Sequence, residues 1–128
     1  MSVVTHLVTH ADLDVGATSV RQMSVSARLE AVLADGRSLV LLDDRGWTSS
    51  GPAGLRALIA VEDVESTART VVGPDEPFDG RTHEEMEAGH WSFLAEVLGQ
   101  QGVDVAAEEL GRLPHDVVLS ERLRAWLT

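Results

Sequence analysis

Gln22 to Asp43 reads QMSVSARLEAVLADGRSLVLLD. From Gln22 to Ala31 polar and apolar residues alternate without a break: Gln22, Ser24, Ser26, Arg28 and Glu30 against Met23, Val25, Ala27, Leu29 and Ala31. Successive side chains of a strand point to opposite faces, so this pattern is that of a half-buried β-strand. Asp35-Gly36 tolerates positive φ at both centres of a type I′ turn, and Ser38 to Asp43 reads as the returning strand of a hairpin. With a two-residue loop, Ala31 faces Val40 and Leu29 faces Leu42 on the core side, while Arg28 meets Asp43 on the other. That second face also carries Val32, Leu39 and Leu41, too apolar for open water, which predicts a cover made by another element or a second copy of the chain.

Outward from the hairpin, Val3 to Val8 and Leu55 to Val61 are short strand-like runs, and Arg45 to Gly54 (RGWTSSGPAG) has the Gly, Ser and Pro content of a mobile surface loop holding Trp47. The second half changes character. Glu62 to Val72 opens on Glu62, Asp63 and Glu65, suited to the positive end of a helix dipole, and Gly73-Pro74 ends it. After an acidic linker, Thr82 and Glu85 form a capping box for a long helix reaching about Gly99 or Gln101. Asp104 opens a short helix to Leu113, Pro114 breaks it, and Ser120 caps a last turn or two. Strands followed by helices predict an α+β domain over residues 1–128, with a β-rich half (about 1–61) and a helical half (about 62–128). The sheet is expected to be antiparallel, built around the hairpin and packed by three to four helices; nothing in the sequence supports parallel βαβ units.

Composition excludes much chemistry. The 128 residues are 44% hydrophobic and 24% charged, ample for a packed core. All ten basic residues are Arg, and against 21 Asp and Glu they leave a net charge of −11. A field of that sign repels phosphate backbones and anionic lipid, which speaks against nucleic-acid or membrane partners. Without Cys there is no thiolate nucleophile, disulfide or Cys-ligated metal, and without Lys neither a P-loop nor a Schiff base. No run approaches the roughly 20 apolar residues of a membrane span, and the first residues lack the basic and apolar regions of a secretory signal, so a cytoplasmic location is expected. The absence of Lys, Asn and Tyr points to a GC-rich bacterial genome.

The long helix holds one cluster of potential ligands. At 100° per residue His83, Glu87 and His90 share a face within two turns, the kind of donors that zinc, iron or manganese take when cysteine is absent. The same face carries Met86, Phe93, Leu94 and Val97, the stripe expected to pack on the sheet, so His90 points to the core or its margin and is better explained as a structural histidine, with His83 and Glu87 solvated. His115, beside Asp116 in an apparent loop, is a second candidate acid–base residue; His6 and His10 read as a solvated terminal segment. Trp47, next to Asp43 and Asp44, either anchors an interface or folds back over the hairpin's apolar second face. The expectation is a small acidic protein without catalytic activity or cofactor that binds another protein, basic in character, or a second copy of itself. The alternative is a metal-dependent or acid–base enzyme using His83, Glu87 and His90.

Overall fold

The computed structural model describes residues 3–128; Met1 and Ser2, counted above in the single domain, lie outside the described residues. Three strands come first, β1 (Val4–Leu13), β2 (Gln22–Leu33) and β3 (Ser38–Ser50). Helices α1 (Val61–Val71), α2 (His83–Gln100) and α3 (Ala107–Leu110) follow, then a fourth strand, β4 (His115–Leu119), and helix α4 (Glu121–Leu127). The strand order is β3-β2-β1-β4, with β1 antiparallel to β2 and parallel to β4. The fold is α+β, as the order of patterns requires, but the sheet is mixed rather than antiparallel. His115 and Asp116 therefore lie in an edge strand and not in a loop.

The hairpin forms one residue out of the expected register. Gly36 N–H bonds the Leu33 carbonyl at 2.9 Å and Leu33 N–H bonds the Arg37 carbonyl at 2.8 Å, a three-residue loop. Gly36 has φ +91° while Asp35 stays at negative φ, so the turn is a type I turn with a glycine bulge, not type I′. Asp35 fixes it by accepting from Arg37 N at 3.0 Å and Arg37 Nε at 2.9 Å. The extra loop residue sets Ala31 opposite Leu39 and Glu30 opposite Val40, so Leu39 turns to the core and Val40 to the other face. A bulge then restores the expected Leu29–Leu42 pair, and a second sets Asp43 and Asp44 together across from Arg28 before Ala27 meets Arg45.

β3 continues to Ser50, through the segment whose composition suggested a loop. Gly46 permits this, because a Cβ there would lie 2.5 Å from the Val25 carbonyl oxygen. Leu55 to Leu58 is a 3-10 turn leading into α1, not a strand. The capping box forms as expected, with Glu85 N donating to Thr82 Oγ1 and Thr82 N to Glu85 Oε1, each at 3.1 Å.

Every helix packs on one side of the sheet. Leu7, Ala27, Leu29, Ala31 and Leu33 meet Leu94, Leu98 and Leu110, while Ala11, Leu13, Met23 and Val25 meet Val64, Ala68, Leu119 and Leu123. Burial of Leu94 and Leu98 contributes about 2 kcal/mol each, the main attachment of α2. Phe93, expected in that stripe, instead faces solvent at 54% exposure. The outer edge of β3 is partly capped, since Gln101 Nε2 donates to the Val40 carbonyl at 3.2 Å.

Candidate functional site

Alternation in β1 and β2 leaves a second face that no helix covers. Across the strands its rows run Val40–Glu30–Val8–Asp116, then Arg28–His10–Val118, then Gly46–Ser26–Asp12. This face hollows into a cleft of about 520 Å³ whose walls include His10, Asp12, Arg28, Asp43 and Ser120. Val40 and Val118, on the outer strands to either side, are 40% and 45% exposed.

The polar groups are held in place. Glu30, its side chain only 12% exposed, takes Arg28 Nε at 2.7 Å and His10 Nε2 at 3.3 Å. Asp12 Oδ1 accepts from Ser120 Oγ at 2.6 Å and Arg122 Nε at 2.7 Å, and Oδ2 from Arg122 Nη2 at 2.5 Å. This fork joins α4 to β1. The Arg122 hydrogen bonds foremost, then Ser120, hold the Asp12 carboxyl well below the usual carboxylate range, so it stays ionised at any ordinary pH. Four carboxylates (Asp12, Glu30, Asp43, Asp116) face two guanidinium groups (Arg28, Arg122), a net negative surface flanked by exposed valines.

The residues singled out from sequence are dispersed. Asp43 lines this cleft, whereas Asp44 lies 3.7 Å from Arg45 Nε. Trp47 is a strand residue opposite Val25 and packs, partly buried, against both halves of the core, so it props the helix-covered side and is not a free loop anchor. His83 and Glu87 are exposed, while His90 sits at the core margin with Nε2 buried and without a hydrogen-bond partner. Among the described residues no three His, Asp or Glu side chains come together in a way that could hold a metal ion, the helical trio included. Burial pushes the His90 pKa down, against a smaller upward pull from the Val72 backbone. His115 bonds Thr9 Oγ1 through Nε2 at 2.6 Å beneath the helices, and burial, helped by the nearby Arg69 charge, lowers its pKa too. Both rings therefore carry less positive charge near neutral pH than a free imidazole.

Sequence reasoning missed His10, Arg28, Glu30, Asp12 and Val118 as one surface. A signal existed: Leu7, Thr9, Ala11 and Leu13 alternate with His6, Val8, His10 and Asp12, carrying the first strand past Val8. A second concavity of about 370 Å³ lies between α2 and α3, where Trp91 rests against Gly111. No protein-family model, curated protein or solved structure matches this chain.

Proposed function

We propose that this protein works by binding another protein, as a regulator, accessory subunit or neutralising partner, and that it does so through the uncovered face of the sheet. The observation that supports this reading is the one-sided packing: a four-stranded sheet with every helix on one face and exposed Val40 and Val118 across a polar cleft on the other. Exposed apolar groups bordering fixed charges have the composition of a recognition surface, in which the apolar part contributes affinity and the charges set orientation. The preferred partner is basic, because the face and the whole chain, at −11, are both negative. A second copy presents the same sign and is disfavoured.

The test is affinity capture, from cells that make the protein, with three baits: wild type, Val40→Glu/Val118→Glu, and Phe93→Glu on the helical side. A basic protein retained by wild type and Phe93→Glu, and reduced at least tenfold by the sheet-face variant, is the expected result. The added glutamates strengthen long-range attraction to a basic partner, so a loss reports the contact itself. Retention by the sheet-face variant with loss by Phe93→Glu contradicts the reading, as does a wild-type mass in solution twice the 13.8 kDa of one chain.

A further inference from the structure

The groove between α2 and α3 differs from the sheet face in both shape and chemistry. Its wall is the indole of Trp91, which packs against Gly111 and His90. A Cβ on Gly111 would lie 3.1 Å from Trp91 Nε1 and 3.2 Å from Cδ1, so glycine lets the α3 terminus close against the ring without displacing it. The His90 ring also meets Trp91 edge-on, with centroids 5.1 Å apart and planes at 70°. The indole is partly buried against the core and meets the groove beside Ala88 and Ser92, whose small side chains keep the opening clear.

Around this wall stand Glu84 and Glu87 from α2 and Glu108 from α3. All three are exposed, and none makes an ion pair or side-chain hydrogen bond among the described residues. Arg112 also lines the groove, one turn beyond Glu108, yet it pairs with neither that residue nor the α2 glutamates. The rim therefore keeps a net negative charge that the fold leaves unneutralised, beside a fixed aromatic surface. An aromatic face attracts a cation through its quadrupole, and a planar guanidinium can stack on an indole while its edge donates two parallel hydrogen bonds to a carboxylate. An ammonium group offers neither the stacking nor the fork.

We propose that the Trp91 groove is a pocket for an arginine side chain of the basic partner, stacked on the indole and paired with Glu84, Glu87 and Glu108. The proposal rests on the reading of the protein as a binder of a basic partner and adds a second point of attachment on the helical side. Two sites on opposite sides of one small domain fit a partner whose segment wraps it, and the second then binds as an intramolecular step.

The experiment follows the Trp91 indole N–H by NMR at 150 mM salt during titration with a blocked tetra-arginine peptide; Trp91→Phe identifies the signal among the three tryptophans. A saturable shift confined to Trp91 and its neighbours is expected. Glu84→Gln/Glu87→Gln/Glu108→Gln should weaken binding at least tenfold. Ala88→Arg, which places a guanidinium at the groove from an exposed helix position, should abolish it. Glu62→Gln/Asp63→Asn/Glu121→Gln removes the same charge elsewhere and should change affinity less than twofold, and tetra-lysine should bind at least fivefold more weakly. Circular dichroism checks that each variant folds. The proposal is overturned by equal weakening in the two triple variants, by tetra-lysine binding as well as tetra-arginine, or by the absence of a saturable shift. Val40→Glu/Val118→Glu should leave the titration unchanged while losing the captured partner, so failure of the groove and failure of the sheet face are read separately.

Discussion

Leu7 and Val8 are neighbours in β1, yet they belong to two surfaces with different tasks. Leu7 joins Leu29, Ala31, Leu94 and Leu98 under the helices, whereas Val8 shares its face with His10, Asp12, Glu30 and Arg28. The covered face buries mostly apolar side chains; Thr9 is the buried polar residue among those described, and its hydroxyl bonds His115. The uncovered face is polar, but it is not an ordinary solvated surface: Glu30 and Asp12 are pinned by Arg28 and Arg122, and valines stand exposed at its borders. One-sided packing makes the first face the main source of stability and leaves the second, the proposed recognition surface, without a helix over it.

The largest effects should therefore fall on the covered face. Leu29→Ala, at the centre of β2, should cost about 3 kcal/mol through lost burial and the cavity left behind. In a domain of this size that lowers Tm by roughly 10 °C, readable by calorimetry. Thr9→Val should cost about 1 kcal/mol in urea titrations, because it leaves the partly buried His115 nitrogen without its partner. The same histidines give the covered side a pH signature. The pKa values of His90 and His115 are depressed on folding, so the unfolded chain binds more protons near the unperturbed value of 6.5. Stability should fall as pH drops from 7.5 through 6.5, and His115→Gln should flatten that slope.

Asp12→Asn probes the seam between the faces, where Arg122 ties α4 to β1. The cost should be about 1 kcal/mol at pH 7, modest because the pair is partly in water. The folded pKa lies below the unfolded one, so this stabilisation is complete above about pH 4 and fades as acid protonates the carboxylate. Wild type and variant should then converge in Tm toward pH 2. The smallest effect belongs to the open face. Val118→Glu should change stability by no more than about 0.5 kcal/mol while removing partner capture. A large loss of stability there would erase the distinction between the two faces.

How much of this was legible depended on how local the determining contacts are. The alternation of β2, the Thr82–Glu85 box and the cap at Ser120 are short-range devices, and each forms where its residues stand. β4 is five residues whose partner in β1 lies more than a hundred positions away, joining Thr9 to His115, and no local pattern announces a parallel pairing of that separation. The register of β3 turned on one loop residue, which exchanged the faces of Leu39 and Val40. Trp47 was misplaced because Gly46 resembles loop punctuation, whereas here glycine admits the close approach of the Val25 carbonyl. The cleft was hidden for a related reason. Its polar residues come from β1, β2, β3 and the cap of α4, and become one surface only once the sheet order is known.

The most direct test places a photoactivatable amino acid at position 118 on the open face or at position 66 on exposed α1, then crosslinks in cells that make the protein. The account predicts one basic protein joined through position 118 and absent from position 66. Crosslinking from position 66 alone, or a covalent dimer of the chain formed through position 118, would contradict it.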